Sequence, residues 1–346
     1  MYSRRNHWFG LSLTLVCLLG VATLVAALEQ PAATFPVAPP HQDDPIVTST
    51  PTATALDDPQ ATSTTPATST PTATALIIYL PFVGRPQNTA TPAGTPVATP
   101  ADPAAEILIP AGSFQMGCDI TNSAENGCPN NATELPLHTV YLDAYYIDKY
   151  EVTNTRYQAC VKAGRCTPPP EVNSFLRPSY YDNLQYGDYP VIFVTWYQAS
   201  VFCGWAGERL PSEAEWEKAA RGTTDTRKYP WGNEAPDCSK TNFASGEDFC
   251  VRDTDHVGAH PAGKSPFGVM DMAGNVWEWV NDWYVDGYYQ VSPASNPQGP
   301  TASWSHVLRG GSWMSGDSPL RSALRGGGGA PNFRYIDLGF RCARTP

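Results

Sequence analysis

At about residue 105 the chain changes material. Residues 29–104 are dominated by Thr, Pro, Ala and Ser, and Thr50-Pro51-Thr52-Ala53-Thr54-Ala55-Leu56 returns as Thr70-Pro71-Thr72-Ala73-Thr74-Ala75-Leu76. Such a stretch cannot bury enough apolar surface to offset its ordering entropy, and its prolines favour extended polyproline II. It reads as a stalk holding a domain away from a surface, with many hydroxyls open to glycosylation. Leu76-Ile77-Ile78-Tyr79-Leu80-Pro81-Phe82-Val83 interrupts it as a short strand-like run, either docked on the domain or an apolar linker patch. Residues 105–346 suit one large domain and hold every tryptophan except Trp8.

Residues 1–28 read as a targeting segment. Arg4, Arg5 and His7 precede an almost wholly apolar run over 11–28, and Val25-Ala26-Ala27 suits signal peptidase. The run is also long enough to stay as a single membrane anchor. The expectation is export, with the domain secreted or at the cell surface and the membrane reached only through that anchor. A net charge of −11 argues against nucleic acid, because a phosphate backbone needs a basic face.

Without Cys17, eight cysteines remain, an even number, and export makes disulfides stable. Short loops suggest Cys118–Cys128, Cys160–Cys166 and Cys238–Cys250, which leaves Cys203 and Cys342. The rival reading is a metal cluster, but no C-x-x-C occurs and the histidines lack ligand spacing.

Local patterns predict a hairpin over residues 107–117 and one strand over 138–147 with Val140, Leu142, Ala144 and Tyr146 on one face. Three helices follow, from Thr153-Asn154 to near Gly164, from about Thr195 to Ala206, and after Ser212. The last opens on a Ser212/Glu215 capping box, places Lys218 and Arg221 at its negative end, and stops at a left-handed Gly222. The rest is rich in Gly, Pro and Asp, so the class is α+β and loop-rich, with disulfides and bound ions expected to hold the loops.

Seven ordered segments carry a resemblance. They are Ile109-Pro110-Ala111-Gly112-Ser113-Phe114-Gln115-Met116-Gly117, Tyr150-Glu151-Val152-Thr153-Asn154, the run from Ala206-Gly207-Glu208-Arg209-Leu210 to Glu217, Tyr229-Pro230-Trp231-Gly232-Asn233, Met270-Asp271-Met272-Ala273-Gly274-Asn275-Val276-Trp277-Glu278-Trp279, Leu308-Arg309-Gly310-Gly311-Ser312-Trp313, and Gly339-Phe340-Arg341-Cys342. Together they resemble the sulfatase-modifying-factor family, which includes the formylglycine-generating enzyme, over essentially all of 105–346. The resemblance implies an irregular α+β domain related to the C-type lectin fold. It also supports the Cys203–Cys342 pairing.

The resemblance further implies calcium, held by Asp271, Gly274, Val276 and Glu278. Alternating carboxylate and carbonyl oxygens on a tight glycine turn suit that hard cation. The alternative pairs Asp271 and Glu278 with arginines such as Arg309 or Arg341. A second family site maps to Asn242, the Phe243 carbonyl and either Asp248 or Asp253, where turn capping is the simpler account.

The family's chemistry needs two more cysteines, which hold the copper ion that activates oxygen. Those positions are Ser315 and Leu320 here, and neither offers the soft thiolate that cuprous copper prefers. Ser312 matches a serine of the catalytic pocket, yet it has no G-x-S-x-G setting and no histidine at supporting spacing. Copper and formylglycine generation are therefore not expected, and whether any enzyme activity remains is open.

Trp313, Arg321, Arg325, Asn332, Arg334 and Tyr335, with Phe333, frame a glycine-rich loop that resembles the ligand face of lectin-fold display proteins. The alternative is that Arg321, Arg325 and Arg341 pair with buried acids. The expected function is a calcium-stabilised extracellular module that binds a protein, peptide or glycan. Its rival is a metal-dependent oxidoreductase with an altered site.

Overall fold

A computed structural model describes residues 104–346 apart from 126, 127, 129, 130 and 247. The targeting segment, the stalk and the apolar run 76–83 lie outside the described residues. In chain order the elements are β1 (Glu106–Ile109), β2 (Gly112–Met116), α1 (Asn131–Glu134), β3 (His138–Leu142), β4 (Tyr145–Asp148), α2 (Asn154–Lys162), α3 (Trp196–Ala206), α4 (Glu213–Arg221), β5 (Ala244–Ser245), β6 (Asp248–Phe249), β7 (Trp277–Trp283), β8 (His306–Arg309), β9 (Gly326–Gly329), β10 (Leu338–Phe340) and β11 (Ala343–Arg344). The class is α+β with long irregular connections.

The helices begin where their caps dictate. Thr153 caps α2, Thr195 and Gln198 form a capping box on α3, and Ser212 and Glu215 form one on α4. Each satisfies backbone N–H groups that a first helical turn leaves unpaired. Gly207 closes α3 in the left-handed region. Gly222 closes α4 at φ 85° and ψ −161°, which is not the expected left-handed helical conformation but one open essentially to glycine alone. The basic end of α4 is also put to another use. Lys218 Nζ donates to the carbonyls of Pro110 and Gly112, and Arg221 is fully buried beside Glu217.

Two strand expectations change as well. Residues 107–117 do not form a hairpin, because β1 pairs with β4 while β2 pairs with β3. Lys218 grips both sides of the intervening turn and Gly112 turns the chain at φ 142°, so each strand reaches a later partner. The strand over 138–147 is two strands. Asp143 and Asn296 exchange hydrogen bonds at the break, and the alternation changes phase. Val140 and Leu142 face the core before the break; Tyr145 and Ile147 do so after it, leaving Tyr146 half-buried.

The larger sheet runs β10-β7-β8-β9, with β10 parallel to β7 and the other pairs antiparallel. Glu278 of β7 lies between Gly339 of β10 and Arg309 of β8. Three sequence motifs distant in the chain thus meet on adjacent strands. A smaller sheet, β1-β4-β11, joins the two ends of the described domain. Apolar clusters flank α4 and α3: Trp216 packs among Phe114, Val140 and Val280, while Phe202 packs among Tyr157, Trp279 and Phe340. Disulfides join Cys118–Cys128, Cys160–Cys166, Cys203–Cys342 and Cys238–Cys250.

Candidate functional site

The loop entering β7 turns through left-handed residues. Asp271, Gly274 and Asn275 have φ of 57°, 81° and 62°. Only glycine fits at 274, where a Cβ would overlap the Thr241 hydroxyl and the Asn242 carbonyl. That close approach brings the two expected cation loops together. Asn275 N–H donates to the Asn242 carbonyl at 2.9 Å, and Gly274 N–H donates to the Gly310 carbonyl. Asn275 is the hub. Its Nδ2 donates to Glu151 Oε2 at 2.7 Å, its Oδ1 accepts from Asp255 N–H, and its carbonyl accepts from Trp313 N–H.

Glu151, Asp271 and Glu278 are buried acids grouped around one guanidinium, that of Arg341. Arg341 takes Glu278 in a fork, and Trp216 Nε1 donates to the same carboxylate at 2.8 Å. Asp271 accepts from Gly258 N–H at 2.6 Å. Burial, then repulsion from Asp271 and Glu278, pushes the Glu151 carboxyl well above the usual carboxylate range. Burial also raises Asp271. Glu278 thus already pairs with an arginine, while the cluster as a whole keeps more acids than cations.

Asn242 is buried, with Nδ2 donating to the Asp253 carbonyl and Oδ1 left with no hydrogen-bond partner. Such an orphaned buried oxygen is costly unless something binds it. The Phe243 carbonyl accepts from Cys250 N–H. Asp253 is already taken by Ser174, Leu176 N–H and Arg177, and Asp248 is exposed on β6. Between those two acids only Asp248 is uncommitted.

Beyond β8, Gly310 and Gly311 lead into Ser312, Ser315 and Leu320, the positions where the resemblance implies a catalytic pocket. Ser315 Oγ accepts from Ser312 N–H at 3.0 Å, and Ser312 Oγ donates to Asp337 Oδ2 at 2.5 Å. Burial raises the Asp337 carboxyl. Among the described residues no histidine hydrogen-bonds either serine, so the pair lacks the base of a hydrolase. Leu320 is fully buried with Tyr229, Phe243 and Ala273. Every cysteine of the described domain is bonded to another, so the site has no thiolate for copper.

The expected ligand face divides. Arg321 is buried and held by Glu125 and Glu134, and Arg325 is buried and forked by Glu213 over the Tyr289 ring. Both are structural, since a buried guanidinium must be neutralised locally. Trp313 is buried too, with Phe175 and Phe249 against its ring. Asn332, Phe333, Arg334 and Tyr335 stay exposed, and the Phe333 and Tyr335 rings stack at 6.1 Å. Sequence reasoning missed Glu151 and Asp337 as site residues. Glu151 lay within a quoted motif, so its spacing was a usable signal; Asp337 had none.

These features define a disulfide-bonded, loop-rich α+β domain with convergent polar loops beside a short central sheet. Residues 92–346 match the model of the sulfatase-modifying factor enzyme 1-like domain, and the chain belongs to that family. It is 33% identical over 293 residues to the formylglycine-generating enzyme of Streptomyces coelicolor, covering 72% of this chain and 91% of that enzyme. It is 38% identical over 226 residues to the serine/threonine-protein kinase pkn1 of Chlamydia caviae, covering 61% of this chain and 34% of the kinase. The match thus spans about a third of that kinase's length. Among solved structures, Treponema denticola variable protein 1 superposes with a TM-score of 0.57 at 27% identity, over 70% of this chain and 95% of its own.

Proposed function

We propose that this protein is an exported, calcium-stabilised binding module that has given up formylglycine generation. The observation that carries this reading is the replacement of the two copper-holding positions by Ser315 and Leu320, with all eight domain cysteines engaged in disulfides. A hydroxyl and an isobutyl group cannot replace two soft thiolates. Copper does not fit here.

Calcium fits better. The loops of Asn242, with its orphaned Oδ1, and of Asp271 touch through Asn242 and Asn275, and Glu151 and Glu278 of β7 add to the acid-rich set there. Asn242, Asp271 and the loop carbonyls would hold the ion, with Glu278 shared with Arg341. When bound it would cross-link loops and neutralise buried acid, and it would supply no redox chemistry. Four disulfides suit an oxidising compartment, and among the described residues no helix is long and apolar enough to cross a membrane. The exposed Asn332–Tyr335 segment is the ligand face in this reading, for a protein, peptide or glycan.

The test is elemental analysis of the purified protein together with an assay of a cysteine peptide for aldehyde formation. The expected result is calcium that chelation removes with a fall in thermal midpoint, and no aldehyde. Stoichiometric copper or iron with aldehyde formation would overturn the proposal.

A further inference from the structure

Helix α3 is apolar on nearly every side, a pattern that belongs to a helix enclosed by protein. Its inner face is enclosed: Ala199, Phe202 and Cys203 are buried. Its outer face is not. Tyr197, Val201 and Trp205 form a row at four-residue spacing and are 57%, 51% and 40% exposed. Such a row is the ridge that fits between the ridges of a second helix. It covers about 12 Å along the axis at 1.5 Å per residue.

Two adjoining cavities of about 250 and 390 Å³ separate this ridge from the loop that follows α2. Val201 and Arg165 line both. The Gln198 amide there already serves Thr167 and Pro168. The charge of the groove is positive. Arg165, on the wall of both cavities, is exposed and forms no ion pair among the described residues, and Lys162, three residues earlier at the end of α2, is likewise exposed and unpaired there. A two-fold pairing of this groove with itself would bring the two Arg165 side chains together, and that like-charge contact disfavours a second copy as occupant.

We infer that the groove between α3 and the 163–167 loop docks an amphipathic, acidic helix of another protein. Its apolar row would sit on Tyr197, Val201 and Trp205, and a carboxylate on its flank would meet Arg165. This is helix-in-groove recognition, in which apolar anchors give affinity and flanking charge sets orientation. The groove shares no residue with the Ser312–Ser315 site, so the inference stands independently of the proposal about that site.

The experiment selects a phage-displayed library of random 16-residue peptides on the full-length protein. Val201→Asp, Arg165→Glu and Gly204→Gln serve as comparison baits. Gly204 lines the second cavity, and a Cβ there would meet no atom within 4 Å, so that variant fills the groove without disturbing the fold. Enriched peptides are expected to repeat apolar residues three or four apart and to carry net negative charge. A synthetic copy should bind each variant at least about tenfold more weakly, with the urea midpoints of the variants unchanged, since a factor of ten is the scale of one good contact. Three results would overturn the inference: no enrichment over the Val201→Asp bait, enrichment of basic or unpatterned peptides, or a homodimer in sedimentation that Val201→Asp dissociates.

Discussion

Arg341 and Glu278 hold each other through two hydrogen bonds, Nη2 to Oε1 and Nε to Oε2, each 2.7 Å long, with both side chains fully buried. Arg341 also donates to the carbonyls of Asp148, Lys149 and Met270, so it ties the C-terminal motif to two other loops. Removing one partner strands a buried charge, which costs about 3–5 kcal/mol. Glu278→Gln is expected to lose that much, and Arg341→Met more, because it leaves Glu151, Asp271 and Glu278 without their shared cation. The double variant Glu278→Leu with Arg341→Met should lose less than Arg341→Met alone, because the Glu278 charge is no longer stranded, although Glu151 and Asp271 stay without their cation. Urea unfolding of the three proteins tests this; single losses below about 1 kcal/mol, the scale of an ordinary surface substitution, would refute it.

The Cys203–Cys342 bridge spans 139 residues and fastens α3 to the segment between β10 and β11. Its loop is much longer than those of the other three bridges, which span 10, 6 and 12 residues. On the chain-entropy model a loop of that length contributes roughly 5 kcal/mol. Cys203→Ala with Cys342→Ala should therefore lower the denaturant midpoint further than removal of any other pair. A larger loss for the Cys160–Cys166 pair would contradict the model.

The helices could be read directly, because caps and glycine stops are local signals, whereas the strands of the central motifs could not, since beyond Gly222 the sequence shows only a loop-rich Gly, Pro and Asp composition. Thr195 with Gln198 and Ser212 with Glu215 needed no tertiary knowledge. Strand pairing could not be read in the same way. Pro110 and Gly112 look like a hairpin turn, yet Lys218, more than a hundred residues away, fixes where those strands go. The arginines divided for a similar reason. Arg321, Arg325 and Arg334 look alike in a glycine-rich stretch, and only the positions of Glu134 and Glu213 decide that the first two are buried. The site was partly visible: Asp271, Gly274 and Glu278 lie in one motif, whereas Asp337 meets Ser312 only through folding.

His306 lies between two indoles, 4.0 Å from the Trp196 ring and 3.8 Å from that of Trp283. Its Nδ1 lies 3.1 and 3.2 Å from the carbonyls of Asn281 and Asp282, so Nδ1 carries the proton and donates. Burial lowers its pKa to about 4. In the unfolded chain it would take up a second proton near its ordinary value of 6.5, so between the two pH values the unfolded state holds more protons. Its contribution is thus complete above pH 6.5 and is lost as the pH falls toward 4. Asp282 and Glu208 are raised to about 8 by burial and act in the opposite sense, favouring the fold at low pH and losing that contribution as the pH rises through 8. His306→Phe keeps the stacking and removes the titration. The stability difference between wild type and variant should be level above pH 6.5 and shift against the wild type on acidification. A difference independent of pH over that interval would show that His306 does not titrate as described.

Ser315 and Leu320 stand where relatives are inferred to place thiolates, and restoring them tests whether that loss alone removed the metal. The backbone around them is well anchored, with the Ser315 carbonyl accepting from Ala244 N–H and Leu320 N–H donating to the Asp317 carbonyl. Leu320 is fully buried, so its truncation costs about 2–5 kcal/mol through lost contact and cavity. The variant should therefore be assayed well below its own melting temperature. Ser315→Cys with Leu320→Cys is expected to withdraw one equivalent of cuprous ion from a chromophoric chelator, Ser315→Cys alone to do so weakly, and the wild type not at all. Stoichiometric withdrawal by the wild type would mean that other groups hold the ion. A folded double variant that fails to withdraw copper would mean that more than two side chains have changed.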